Sequence, residues 1–200
     1  MRFAPEYGVF AAAADGSPES QAALAALCPA GDGIAVVEAD EAPTPPGLAV
    51  VERGVIWQML AETLAPGDAP GFAVAPLTDA DGPEMLALAT LTKPGPFFER
   101  THRLGDFIGV KVDGRLAAMA GERMRAPGFT EVSGVCTHPD HRGRGYAAAL
   151  TRIVAANILA RGETPFMHVF PSNAGAISVY QALGFRLRRE MKLAVFSRPG

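Results

Sequence analysis

Val135-Cys136-Thr137-His138-Pro139-Asp140-His141-Arg142-Gly143-Arg144-Gly145-Tyr146-Ala147 is the stretch that decides how this chain folds. An apolar strand end runs into a turn and then into a loop with two glycines and two arginines. Beyond it, Leu150, Ile153, Val154 and Ile158 recur at helical spacing. A glycine-bearing loop that opens a helix gathers several backbone N–H groups in one concavity. Those groups and the positive end of the helix dipole favour an anion, typically a phosphate. Glycine lets the backbone approach that anion without a Cβ in the way. Taken alone, the same residues also fit an ordinary strand–turn–helix connection with surface arginines.

A second stretch lies roughly 35 residues downstream: Asn173-Ala174-Gly175-Ala176-Ile177-Ser178-Val179-Tyr180-Gln181-Ala182-Leu183-Gly184-Phe185. It reads as a helix with Asn173 at its N-cap and Gly184 at its C-terminal stop. Together, Arg142-x-x-Gly145-x-Ala147 and Tyr180-x-x-Leu183-Gly184-Phe185 resemble the two hallmarks of the GNAT superfamily of acyl-CoA-dependent N-acyltransferases, in the family's order and at its usual separation. The resemblance covers residues 71–196. It implies an α/β (α+β) GNAT fold, a mixed, mostly antiparallel central sheet flanked by helices, to which residues 1–70 add a small N-terminal α/β extension.

The resemblance also implies a chemistry: transfer of an acetyl group from acetyl-CoA to a primary amine by direct attack in a ternary complex. The diphosphate would lie on the amides of Gly143, Arg144, Gly145, Tyr146 and Ala147, with Arg142 and Arg144 as charge partners. Pantetheine would run beside Val135, Cys136 and Thr137, and an amide there would polarise the thioester carbonyl. Asn173 would contact the cofactor as well as cap its helix. Tyr180 is the implied acid for the departing thiolate, since a phenol stays protonated at neutral pH. The competing reading of Tyr180 is a core aromatic, because Ile177, Tyr180 and Leu183 share one helical face.

Glu131 is the candidate base. Eleven residues separate it from Arg142, the offset of the catalytic glutamate in the histone-acetylating branch of that family. A carboxylate among Phe129, Val132 and Val135 would have a raised pKa. A cross-strand ion pair or a contact to substrate charge would explain it equally well, and His168 on the next strand, or water, is an alternative base. Cys136 as a nucleophile competes with a small strand residue. His138 and His141 belong to the turn, and with Cys136 they form no metal-ligand spacing, so no metal is expected.

Composition bounds the rest. With 48% hydrophobic residues the chain has ample core, and no run of 18 apolar residues suggests a membrane span. The start lacks a secretory pattern, and two distant cysteines suit a reduced cytoplasmic setting. The net charge of −3 divides into −8 over residues 1–70 and +5 over residues 71–200. The basic part suits a polyanionic cofactor and is too poor in basic clusters with aromatics for nucleic acid. Residues 186–192 alternate basic with apolar, as the wet face of a strand does.

The expected organisation is an acidic extension, 1–70, and an acetyltransferase domain, 71–200. In the first part a short helix over 19–27 follows Ser17, and strands lie at 33–38 and 48–52. Residues 55–64 fit strand or helix, and 66–71 form a linker. In the second, strand 72–77 precedes helices at 79–92 and 97–104. A hairpin at 107–124 turns on Asp113-Gly114, and strands follow at 130–137, 166–170 and 185–196. The Ser133-Gly134-Val135-Cys136-Thr137-His138-Pro139 strand and the extra N-terminal segment look like the glycine-acyltransferase-like branch, which implies a small amine or amino acid as acceptor. A protein N-terminal or lysine acetyltransferase and a non-catalytic acyl-CoA-binding module are the alternatives. The extension is available to shape the acceptor side or a homodimer interface.

Overall fold

The computed structural model describes residues 1–199. One mixed sheet of eight strands, ordered β1-β8-β2-β7-β6-β5-β4-β3, runs through it. The strands are β1 (Gly33–Glu38), β2 (Ala49–Leu60), β3 (Ala75–Leu77), β4 (Phe107–Val112), β5 (Arg115–Ala126), β6 (Phe129–Thr137), β7 (Thr164–Val169) and β8 (Arg186–Ser197). The helices are α1 (Pro18–Ala26), α2 (Gly82–Thr92), α3 (Tyr146–Ala160) and α4 (Ala174–Ala182). Every pairing is antiparallel except β6 with β7.

Local chemistry sets most of these limits. The Ser17 side chain accepts from the Ser20 amide at 3.2 Å and starts α1. Asp113 and Gly114 both take positive φ, 50° and 77°, as the two-residue turn between β4 and β5 demands. Asn173 caps α4 by accepting from the Ala176 amide at 3.2 Å. Of the ambiguous residues 55–64, residues 55–60 resolve as strand, the end of β2 (Ala49–Leu60), which is held by ladders to β7 and β8 on its two sides, and residues 61–64 leave the sheet. The helix expected over 97–104 is only a 3-10 turn, Thr101–Leu104. Its residues are committed elsewhere, because the Thr101 hydroxyl accepts from the Phe98 amide (2.7 Å) and donates to the Tyr7 carbonyl (2.8 Å).

Two features position the site. First, β6 and β7 pair only at Phe129–Thr164, Thr130–Pro165 and Glu131–Phe166, and part beyond that point. A bulge on the β5 side of β6 accompanies the parting, with Gly134 at φ 65° inside it. Second, residues 1–70 contribute β1 and β2 to the common sheet, and β2 lies between β7 and β8. Those residues also hold a hydrophobic cluster of their own around Leu24, Cys28, Ile34 and Val36, closed by Ala194 and Phe196 of β8. The main core lies between the sheet and α3, with Leu150, Val154 and Ile158 against Met59, Val132 and Met167. α2 covers the opposite face over Phe107, Met119 and Cys136.

The first twelve residues form a strap. Val9 and Ala11 bond to Ala35 on the outer edge of β1. The Glu6 carbonyl accepts from the Arg100 amide at 2.8 Å, which with the Tyr7–Thr101 bond fastens the other end near the 3-10 turn. Among the described residues no helix is long and apolar enough to cross a membrane.

Candidate active site

The glycine loop after β6 is shaped for an anion. Gly143 (φ 75°) and Gly145 (φ 78°) both adopt the left-handed conformation, and a Cβ at either would meet nothing within 4 Å. Gly145 caps α3 without any side-chain bond to the first-turn amides. Those amides at the start of a 15-residue helix are therefore free to donate outward. Arg142 and Arg144 are exposed and form no ion pair among the described residues. The side chain of Tyr146 turns inward, edge-on to Phe72 at 4.7 Å, so only its backbone faces the loop. These residues fit a diphosphate: open space over glycine, free N–H groups and unpaired guanidinium groups.

From this loop the diverging strands lead inward. Residues 132–137 of β6 lose their β7 partner, which leaves main-chain groups for an extended ligand to pair with. Val135 packs toward the α3 core and Cys136 toward α2. The Thr137 hydroxyl is buried with no hydrogen-bond partner among the described residues. Tyr180, on α4, packs against the α3 core; burial, and secondarily the charge of Cys136, push its phenol up to about 12. Cys136 is itself buried among Met85, Leu88 and Met119, and burial pushes its thiol up to about 11. A thiol so protonated is a poor nucleophile. Asn173 is exposed and caps its helix.

Glu131 sits where pairing with β7 ends, 1% exposed. Arg123 of β5 grips it bidentately, Nε to Oε2 and Nη2 to Oε1, both 2.9 Å. His168 Nδ1 lies 2.9 Å from the same Oε1. Burial alone would raise this carboxyl. Arg123 and His168 outweigh it and hold the group at about 2, against an ordinary 4.5. The raised pKa expected from apolar neighbours is therefore reversed, by an Arg123 whose phase relative to Glu131 depends on the irregular pairing between Glu122 and Arg125. A carboxylate held near 2 is an anchor for its neighbours and a weak proton acceptor.

The network continues outward. His168 Nε2 lies 3.2 Å from the Gln58 side-chain nitrogen, and Arg188 donates to the Gln58 oxygen. Phe166 stands edge-on to the imidazole at 5.6 Å. Phe10 of the strap lies over the Arg123 guanidinium, 4.6 Å from its ring centre. Thus the structure brings together Glu131, His168, Arg123 and Gln58 on one side of the parted strands, and Tyr180 approaches from α4. Arg123 and Gln58 carried no motif. A cleft of about 380 Å³ rimmed by Asp15, Glu38, Asp40 and Glu41 shares no residue with this site. Among the described residues no three His, Cys, Asp or Glu side chains gather as metal ligands.

A sheet that parts beside a glycine loop opening a helix, with the tyrosine helix following β7, is the arrangement that the sequence resemblance implies. The family described as FR47-like protein matches residues 108–194. A protein assigned to the GNAT acetyltransferases of Novosphingobium aromaticivorans is 47% identical, with a TM-score of 0.87 over 100% of this chain and 88% of its own. A GCN5-related N-acetyltransferase from Kribbella flavida shares the fold at 22% identity, TM-score 0.55, over 84% of this chain and 68% of its own. The ribosomal-protein-S18-alanine N-acetyltransferase of Escherichia coli does so at 20% identity, TM-score 0.51, over 64% of this chain and 94% of its own. None of the curated proteins matches the chain. The chain belongs to the GNAT family of acetyltransferases, whose members use acetyl-CoA.

Proposed function

We propose that the protein transfers an acetyl group from acetyl-CoA to the primary amine of a small molecule or amino acid, by direct attack within a ternary complex. The observation that carries this reading is the parting of β6 from β7 beside the Glu131–His168 pair, with Tyr180 of α4 near enough to Cys136 of β6 to feel its charge. Gly143, Arg144, Gly145, Tyr146 and Ala147 would hold the diphosphate by their amides, with the side chains of Arg142 and Arg144 beside it. Val135, Cys136 and Thr137 would bind the extended pantetheine arm by main-chain bonds.

In transfer, the neutral amine attacks the thioester carbonyl and the C–S bond breaks. The amine's surplus proton passes to His168 Nε2. Glu131 stabilises the imidazolium and keeps its own charge, so it serves the base function through His168. The Tyr180 hydroxyl donates to the developing thiolate. A phenol held at about 12 would give up its proton only uphill to the departing thiolate, whose thiol has an ordinary pKa near ~8.5. Its service is therefore a hydrogen bond to developing charge during C–S cleavage, available across the whole working pH range. The buried, protonated Cys136 supports direct attack over an acetyl-cysteine intermediate.

The strap supports a small acceptor, since Phe10 over Arg123 roofs the side on which Glu131 and His168 lie. Thiol release from acetyl-CoA, followed across amino acids, polyamines, aminoglycosides and peptides, tests the reading. Release dependent on a small amine is expected. Release with peptides alone, or none with any acceptor despite acetyl-CoA binding, refutes it.

A further inference from the structure

We propose that Gln58, itself held by Arg188, is a positioning residue that fixes His168 as the neutral tautomer with its proton on Nδ1 and its lone pair on Nε2. The inference rests on the reading of His168 as proton acceptor.

The donor and acceptor ends of this chain follow from one fixed point. A guanidinium only donates, so the Gln58 atom facing Arg188 is its carbonyl oxygen. The other end of that amide is then NH₂, which also only donates. His168 Nε2, 3.2 Å away, must accept. The ring's single proton is left to Nδ1, which donates to Glu131 Oε1 at 2.9 Å. Two further bonds from Arg123 reach the same carboxylate and keep it ionised.

This arrangement opposes a hazard that Glu131 creates. A buried carboxylate beside an imidazole favours the imidazolium, which carries N–H on both nitrogens and cannot accept a proton. The charged groups that face His168 are Glu131 from β6, Arg123 behind it from β5, and Arg188 from β8, with Arg189 paired in register to Gln58. An amide N–H aimed at Nε2 makes a second ring proton there a clash of two donors. Arg188 keeps the amide from flipping to relieve it. Nε2 has one lone pair, so during transfer the acceptor's N–H takes the place of the Gln58 N–H and then passes its proton to the ring. Gln58 comes from β2, so part of the proton-transfer machinery belongs to the N-terminal third of the chain.

Two variants read this out. Gln58→Glu replaces the donor by an acceptor, and Arg188→Met, an exposed position, frees the amide to turn. Nitrogen-15 NMR of the imidazole in protein labelled at its four histidines, with His168→Gln for assignment, reports which ring nitrogen holds the proton. At pH 7 the wild type is expected to show N–H on Nδ1 and a bare Nε2. Gln58→Glu is expected to show both nitrogens protonated, with the acid limb of kcat/KM moved up by about one pH unit or more. Arg188→Met should move both readouts in the same direction by less. A wild type with its proton on Nε2, or an unchanged spectrum in Gln58→Glu, overturns the proposal. A Gln58→Glu spectrum that changes while the acid limb stays in place overturns the base role of His168 instead, leaving the hydrogen-bond chain intact.

Discussion

Replacing Glu131 by glutamine keeps the shape of the side chain and removes its charge, which leaves Arg123 in a largely buried place without its counter-ion. The side chains of Arg123 and Glu131 are 9% and 1% exposed, so solvent screening discounts little. A carboxyl that titrates at its ordinary 4.5 unfolded and at about 2 folded contributes about 3 kcal/mol at neutral pH. The general cost of breaking a buried ion pair from one side, roughly 3–5 kcal/mol, agrees in size. The folded value is the lower one, so this contribution is complete above the unfolded titration and drains away as pH falls toward 2. By pH 3 roughly half of it is gone. Urea denaturation of wild type and Glu131→Gln, at pH 7 and at pH 3, measures both numbers. A difference of about 3 kcal/mol at pH 7 that shrinks to about half at pH 3 is expected. A gap below about 1 kcal/mol at pH 7, or one independent of pH, would refute the argument that Arg123 and His168 hold this carboxylate ionised.

Tyr180→Phe should lower kcat by roughly 10²-fold with little change in acetyl-CoA affinity. Wild-type turnover in that variant would reduce the residue to packing. Gly145→Val should weaken acetyl-CoA binding by more than about tenfold, because φ 78° strains any side chain and a branched one would cover the amides. Calorimetry on the folded variant checks it, and unchanged affinity would move the diphosphate elsewhere. A chain starting at residue 71 should not fold cooperatively, since it loses β2 from between β7 and β8. A soluble fragment of that kind with a cooperative melting transition would show the extension to be dispensable.

Much of the sheet could be read from local signals. Asp113-Gly114 between two apolar runs defined the β4–β5 hairpin, because a two-residue turn needs positive φ at both positions. Ser17 and Asn173 marked helix starts through side chains that do cap. Residues 55–64 were ambiguous because their apolar spacing fits both periods. What makes 55–60 strand is tertiary, a ladder on each side, and no residue within the segment announces it. The 97–104 segment erred the other way. Its pattern suits a helix, but Thr101 ties it to Tyr7, more than ninety residues away in sequence.

The site divides along the same line. The anion loop and the tyrosine helix are contiguous stretches whose chemistry depends on backbone conformation, so glycines and caps reveal them. The hydrogen-bonded side is assembled from single residues on five strands: Arg123, Glu131, His168, Gln58 and Arg188. Each looks ordinary in its own strand, and Glu131 read alone suggested a raised pKa. Its neighbours reverse the sign, because Arg123 and His168 together stabilise the charged form more than burial destabilises it. Moreover, β2 brings Gln58 to β7 only because residues 1–70 insert into the sheet rather than append to it. An acidic segment with no motif of its own therefore reaches the Glu131–His168 hydrogen-bond network through strand order, and strand order is written in no single stretch of sequence.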